Sequence, residues 1–135
     1  MSSAAVYGIP RYNPVDENHP VNPLSPYARS RVEQEQAALD SGMHIVISRS
    51  FNHTGPDQPT DFVIPSFISQ VENAQDGETI HVGNLDVTRD FSDVRDVVRA
   101  YRLLLEKSEP GEIYNVGSGV GYNLKEFLAG LIQRS

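Results

Sequence analysis

Residues 92–132 read SDVRDVVRAYRLLLEKSEPGEIYNVGSGVGYNLKEFLAGLI, and they contain a helix pattern, a strand pattern and a second helix pattern in that order. Asp93 can cap the first helix and Asn123 the second, while residues 112–116 form the strand pattern. After each cap, apolar residues recur every three or four positions, which is the spacing of one helix face. In the first helix this stripe consists of Val94, Val97, Val98, Tyr101, Leu104 and Leu105.

The first half of the chain shows the same alternation, which predicts an α/β fold with at least some parallel strands. A parallel sheet is normally covered on both faces, and this chain starts directly on a strand pattern. We therefore expect the sheet within these residues to be incomplete. The predicted elements are the end of a buried strand at 4–7, a proline-rich loop at 9–26, a helix from the cap Ser25 to about Ser41, a strand at 44–48, a loop at 52–61, a helix around 64–71 and a strand at 79–82.

The bulk composition excludes several classes of protein. The 135 residues have the size of one domain, and with 39% hydrophobic and 21% charged residues they match neither a disordered nor a membrane-spanning chain. A net charge of −7 disfavours binding to nucleic acid or to an acidic membrane. The chain has no cysteine, and His53 has no second ligand at metal spacing, so we expect no metal site. A cytoplasmic location is the default expectation.

Tyr27 and Arg31 are four residues apart on one predicted helix, so their side chains share a face. A fixed cation favours the phenolate form of a neighbouring tyrosine, which can then act as a general acid or base. Ser3, at the end of the first predicted strand, could hydrogen-bond the same substrate oxygen. The alternative is an ordinary tyrosine at the edge of the core beside a solvated arginine.

Arg89 lies between a predicted strand and a helix cap, where a side chain can face a cleft. Guanidinium groups bind the oxygens of a diphosphate in pairs, so Arg89 is a candidate for an anionic ligand. The alternative is a surface ion pair with Asp90 or Asp93.

Seven blocks of the sequence occur in one order: SSAAVYG (2–8), SPYARSR (25–31), RSFNHTGPDQ (49–58), FVIP (62–65), VGNLDVTRDF (82–91), SDVRDV (92–97) and YNVG (114–117). Together they resemble the extended short-chain dehydrogenase/reductases, which include the NAD-dependent epimerases and dehydratases of sugar nucleotides. Within that family, Asn52–Pro56 and Val82–Leu85 look most like the GDP-4-keto-6-deoxy-mannose reductases, which are close relatives of the GDP-mannose 4,6-dehydratases.

The resemblance implies the C-terminal portion of a Rossmann-like enzyme. Residues 1–50 would end the Rossmann-type domain, and residues 51–135 would bind a sugar nucleotide, which the resemblance implies is GDP-linked. The cofactor, NAD or NADP, would be held mainly by a half that precedes residue 1, so this fragment alone is expected to be inactive. The resemblance also implies a homodimer that packs through the helix with Tyr27.

The resemblance further implies a role for each candidate residue. Tyr27 would protonate the substrate carbonyl with help from Ser3 and the charge of Arg31, and Tyr27 and Arg31 would also contact the cofactor. The nucleotide would be held by Asn52, Arg89 and Arg95. For Asn52 a plain turn residue is the alternative. Two other functions stay open: a 4,6-dehydratase or epimerase of the same family, and a non-catalytic module that binds sugar nucleotide or a partner.

Three features depart from the family pattern. Residues 117–121 read GSGVG, but Tyr122 stands where a Gly-x-Gly-x-x-Gly fingerprint needs its last glycine. Arg31 stands where the family has lysine, which keeps the charge but replaces a compact ammonium with a planar fork. Ala5 stands where the dehydratases have a glutamate that assists elimination of water. Alanine moves no protons, so the sequence favours ketone reduction or epimerisation over dehydration.

Overall fold

The computed structural model describes all 135 residues, which form two three-stranded sheets and four α-helices. A short 3-10 helix, Ala4–Tyr7, follows the first strand. The strands are β1 (Ser2–Ser3), β2 (Ile47–Ser50), β3 (Asn52–Thr54), β4 (Thr88–Asp93), β5 (Ile113–Val116) and β6 (Gly121–Asn123). The helices are α1 (Pro26–Asp40), α2 (Val63–Asn73), α3 (Val94–Lys107) and α4 (Leu124–Ile132).

The first sheet is parallel and has the order β1-β2-β5. All four residues of the central strand β2 are buried, as expected for a strand with a neighbour on each side, and α1 packs against the neighbouring strand β1. Strand β5 joins this sheet although it lies in the region predicted to bind substrate. The predicted division near residue 50 stays a prediction.

The second sheet has the order β3-β4-β6 and combines a parallel with an antiparallel pair. Helices α2 and α4 pack against each other beside it and form the main apolar cluster. That cluster is built around Phe67, Val71, Leu124 and Leu128. Since β3 follows β2 after a single residue, the chain passes directly from one sheet to the other.

The predicted helices and caps are confirmed. Ser25 Oγ accepts a hydrogen bond from the Ala28 amide, and Pro26 occupies the first helical position of α1. Asp93 accepts from the Arg95 amide at the start of α3, and Asn123 accepts from two amides at the start of α4. These bonds satisfy amides that lack partners within the helix.

Several predicted strands differ from the structure. Residues 4–7 are not strand: Ser3 Oγ accepts from the Ala5 amide, and this cap together with the low strand propensity of alanine favours the 3-10 turn. No strand forms at residues 79–82, where Gln70 holds the His81 backbone through two hydrogen bonds instead. The strand predicted at 44–48 lies at Ile47–Ser50, and β3, β4 and β6 were not predicted.

No helix of the chain combines the length and the apolar character needed to span a bilayer.

Candidate functional site

Tyr27 and Arg31 form a stacked pair on α1. The guanidinium carbon of Arg31 lies 5.0 Å from the centroid of the Tyr27 ring, which is a cation–π contact. Arg31 Nη1 donates to Gln34 Oε1 at 2.7 Å, whereas Arg31 Nε is buried and has no hydrogen-bond partner. Tyr27 itself is 53% exposed. The two side chains therefore share one helix face, as predicted, and the Arg31 guanidinium lies over the flat face of the Tyr27 ring.

Ser3 lies at the end of β1 and caps the 3-10 helix. Its Oγ accepts from the Ala5 amide at 3.2 Å, so its hydroxyl hydrogen is free to point elsewhere. Helix α1 packs against both β1 and the 3-10 helix, which brings the elements of Ser3 and Tyr27 side by side.

A buried ion pair, which the sequence analysis did not find, connects α1 to the central strand. Glu35 and Arg49 are 6% and 5% exposed. Arg49 Nε donates to Glu35 Oε1 at 3.0 Å, and Arg49 Nη2 donates to Glu35 Oε2 at 2.7 Å. This two-bond arrangement is the strongest geometry open to an arginine and a carboxylate.

The third nitrogen of Arg49 extends the network to the 3-10 helix. Arg49 Nη1 donates to the hydroxyl of the buried Tyr7 at 3.1 Å, and that hydroxyl donates to Asn115 Oδ1 at 2.7 Å. Asn115 also fixes the proline-rich loop, because its amide nitrogen atoms donate to Glu17 Oε1 and to the Val15 carbonyl. The loop is thus attached to the end of β5.

The network shifts the titration of its members. Burial is the largest single influence and disfavours the charged form of Glu35, but the hydrogen bonds and charge of Arg49, together with Ser2, outweigh it, and the pKa of Glu35 lies below its usual value. Burial likewise acts against the charge of Arg49, and the bonds to Glu35 and Tyr7 raise its pKa. The pKa of Tyr7 is raised, mainly by burial. Both members of the ion pair are therefore charged across the physiological range.

His19 fastens the same loop. The imidazole is 3% exposed, its Nε2 accepts from the Arg11 amide at 2.9 Å, and its Nδ1 lies 2.8 Å from the Pro20 carbonyl oxygen. A carbonyl only accepts, so Nδ1 carries the proton and the ring is neutral. The ring also packs edge-on against Tyr7, at 5.5 Å between centroids.

Asn52 and Arg89 come together on the second sheet. Asn52 of β3 pairs in register with Phe91 of β4, and Arg89 lies two residues earlier on β4, so both side chains leave the same face. Asn52 Nδ2 donates to the Asp90 carbonyl at 3.2 Å. Arg89 lies within β4, where it was predicted to follow a strand, and its Nη1 donates to the Thr88 carbonyl at 2.9 Å.

Arg95, unlike Arg89, is paired with a carboxylate of the chain. Its Nε and Nη2 donate to the two carboxylate oxygens of Asp93 at 2.9 and 2.6 Å, while its side chain is 78% exposed. Hydrogen bonds from the Arg95 side chain and backbone lower the pKa of Asp93 to about 2. The surface ion pair considered for Arg89 is therefore formed by Arg95, and Arg95 reaches a ligand only by leaving Asp93.

The glycine-rich loop at residues 117–121 binds a carboxylate of the chain itself. Asp90 Oδ1 accepts from the amide and the hydroxyl of Ser118 at 2.9 and 2.7 Å, and Asp90 Oδ2 accepts from the Gly119 amide at 2.7 Å. A Cβ at Gly117 would lie 2.9 Å from Asp90 Oδ2, so the loop needs glycine there. Asp90 thus joins this loop to the strand that carries Arg89.

Comparisons with known proteins agree over nearly the whole chain. A model of the family described as GDP-mannose 4,6 dehydratase matches residues 1–133. The GDP-6-deoxy-D-mannose reductase of Pseudomonas aeruginosa is 37% identical, and the match covers 95% of this chain and 45% of the reductase. The human dTDP-D-glucose 4,6-dehydratase is 36% identical, with 98% of this chain and 39% of the dehydratase covered. The chain spans less than half the length of these relatives.

A solved structure shows the same fold. The structure of RMD from Pseudomonas aeruginosa complexed with NADPH superimposes with a TM-score of 0.87 at 37% identity, over 95% of this chain and 46% of that one. At this identity and score the similarity concerns both fold and ancestry.

Proposed function

Because this chain belongs to the GDP-mannose 4,6-dehydratase family, whose members modify sugar nucleotides, we propose that it forms the substrate-binding and proton-transfer part of an NAD(P)H-dependent reductase. The substrate would be a GDP-linked 4-keto-6-deoxy sugar. Family membership and the α/β fold, as part of a Rossmann-like extended short-chain dehydrogenase/reductase, confirm the corresponding predictions from sequence.

The stacked pair of Tyr27 and Arg31 is the observation on which this proposal rests. The exposed phenol can donate its proton to the C4 carbonyl oxygen of the sugar, and the adjacent guanidinium places a positive charge over the ring that gives up the proton. Ser3 can donate its free hydroxyl hydrogen to the same oxygen. With hydride delivered to C4 and the Tyr27 proton added to the carbonyl oxygen, the ketone becomes a secondary alcohol.

The residues of this chain fit one end of NAD(P)H, which supplies the hydride when it is bound. Arg31 Nε is a buried donor with no partner, and a ribose hydroxyl is a suitable acceptor for it. The loop at 117–121 does not fit the pyrophosphate end, because its amides already bind Asp90. The proposed role of Tyr27 and Arg31 is therefore contact with the nicotinamide ribose.

Asn52 and Arg89 would hold the nucleotide. Arg89 is exposed, and its side chain donates only to a neighbouring backbone carbonyl, so an incoming diphosphate offers it stronger, charged acceptors. Asn52 leaves the same sheet face and can donate to the sugar or phosphate oxygens. The relatives include dehydratases and epimerases as well as a reductase, and Ala5 disfavours dehydration because it offers no proton-transfer group.

Grafting provides the test of activity. In the Pseudomonas aeruginosa reductase, the region matched by this chain is replaced with residues 1–135, and NADPH oxidation is followed with GDP-4-keto-6-deoxy-mannose. We expect turnover that falls at least about 100-fold in Tyr27→Phe, since general acid catalysis contributes about 10²–10⁴-fold. A folded graft without turnover, or one that is unaffected by Tyr27→Phe, contradicts the proposal.

The homodimer remains part of the proposal. Of the apolar residues Ala28, Val32 and Leu39 on α1, Ala28 is buried within the chain, Val32 is half-buried and Leu39 is 40% exposed, so Leu39 is the most accessible of the three to a helix of a second copy. Light scattering of the wild-type chain and of the Leu39→Glu variant distinguishes a monomer from a dimer. A wild-type monomer contradicts the dimer without affecting the proposed chemistry.

A further inference from the structure

The two proposed catalytic residues, Ser3 and Tyr27, lie on separate elements, and the guanidinium of Arg49 contacts both elements. Tyr27, Arg31 and Glu35 are spaced four residues apart and follow one face of α1. Glu35, at the inner end of this row, is fixed by two hydrogen bonds from Arg49. The orientation of the Tyr27 face about the helix axis is thereby tied to β2.

Arg49 is tied in the same way to the element of Ser3. It pairs in register with Ser2 on β1, and its Nη1 donates to the hydroxyl of Tyr7. Tyr7 is the last residue of the 3-10 helix that Ser3 caps. The Arg49 guanidinium also lies 5.0 Å from the centroid of the Tyr7 ring, so a contact with the ring face accompanies the hydrogen bond.

From this geometry we infer that Arg49, together with Glu35 and Tyr7, is a positioning cluster that sets the placement of Tyr27 relative to Ser3. The inference rests on the proposed function, which assigns those two residues to the carbonyl oxygen. Arg49, Glu35 and Tyr7 are buried, so the inference assigns them no contact with the substrate.

The choice of charged residues supports positioning rather than stability as the role. A buried ion pair often contributes no more stability than apolar residues of the same volume, because both charges lose their hydration. A planar guanidinium with fixed N–H directions instead determines orientation. Errors of about 1 Å in the placement of reacting groups reduce turnover by about 100-fold, so a rigid connection between the two elements affects rate.

The first test uses the 135-residue chain and tyrosine ring resonances measured by NMR. Arg49→Lys keeps the charge but loses the fork, and Tyr7→Phe removes one hydroxyl. We expect both variants to shift the ring resonances of Tyr27, which lies two helical turns from Glu35 on α1. The backbone amide resonances of α1 should remain those of a folded helix. The matched control is Arg102→Lys, which alters the exposed pair between Arg102 and Glu106 on α3. Unmoved Tyr27 resonances in a folded Arg49→Lys variant overturn the inference.

The second test uses the grafted reductase and a double-mutant cycle. We expect Arg49→Lys to lower kcat at least 10-fold with KM changed less than about 3-fold, and to add nothing to Tyr27→Phe. Multiplied losses in the double variant show a general structural role and overturn the inference. If Tyr27→Phe alone leaves kcat unchanged, the proposed function fails, and the NMR result still decides whether the cluster positions Tyr27.

Discussion

Arg31 stacks on the face of Tyr27, with 5.0 Å between the guanidinium carbon and the ring centroid, at the position where the family resemblance implies a lysine. The fork is fixed on one side by Gln34. A lysine ammonium is compact, carries three rotatable donors and makes no stacked contact of this planar kind. The local geometry of this chain is therefore adapted to arginine.

We predict that Arg31→Lys raises kcat of the grafted reductase several-fold while KM for the sugar nucleotide stays within about 2-fold. The ammonium can turn freely towards a ribose hydroxyl, whereas the guanidinium is held by Gln34 and the Tyr27 ring and can offer only its buried Nε. Steady-state kinetics check this, with Gln34→Ala as a variant that frees the arginine without changing it. A 10-fold loss in Arg31→Lys would mean that the fork itself serves the reaction.

The different surroundings of Arg89 and Arg95 predict different losses of nucleotide binding when each is replaced by alanine. We expect Arg89→Ala to weaken binding of GDP to the chain by 10-fold or more, because an exposed guanidinium without a carboxylate partner is replaced by a methyl group. Arg95→Ala should change the Kd less than about 3-fold, since Arg95 already binds Asp93. Titration calorimetry measures both. An equal loss for the two variants would show that Arg95 leaves Asp93 when the nucleotide binds.

Asp90→Asn should loosen the loop at residues 117–121. The carboxylate accepts three hydrogen bonds from Ser118 and Gly119, and an amide group turns a donor towards at least one of these donors. An unsatisfied polar group of this kind costs about 1–3 kcal/mol. Hydrogen exchange at the Gly119 amide should accelerate accordingly. Asp86→Asn, at an exposed position on the segment before β4, is the control and should leave that exchange rate unchanged.

The helices of this fold could be predicted from sequence because their signals are local. Ser25, Asp93 and Asn123 each precede an apolar stripe, and each caps a helix. The strands β3 and β6 are only three residues long and too short to show an alternating pattern, so they escaped prediction. Residues 4–7 were misassigned because an apolar run alone does not separate a strand from a helical turn.

The candidate site could be predicted only in part, because only its contacts within one helix leave a local signal in the sequence. The Tyr27–Arg31 contact follows from a spacing of four residues on one helix. The ion pair of Glu35 with Arg49 joins two elements, and charged residues in a sequence ordinarily indicate surface. One signal was available: Arg49 directly follows the apolar strand pattern at 44–48, and Glu35 continues the row of Tyr27 and Arg31 along the helix face.

Acid should destabilise this chain in part through Glu35. Its pKa in the folded chain lies below the ordinary value of 4.5, because the hydrogen bonds and charge of Arg49, together with Ser2, outweigh the effect of burial. As the pH falls, the unfolded chain therefore takes up the proton on Glu35 first, and the free energy of unfolding decreases. The contribution is complete above the unfolded pKa and is lost as the pH falls through the lower, folded pKa.

We predict that Glu35→Gln is less stable than the wild type near pH 7 and that the difference narrows as the pH approaches about 3.5. Removing one partner leaves the Arg49 charge buried, which costs about 3–5 kcal/mol at neutral pH. Urea unfolding at both pH values measures the two differences. Glu106→Gln, in an exposed pair, should show the acid sensitivity of the wild type. A Glu35→Gln variant whose deficit stays constant from neutral to acid pH would show that Glu35 does not titrate as this ion pair requires.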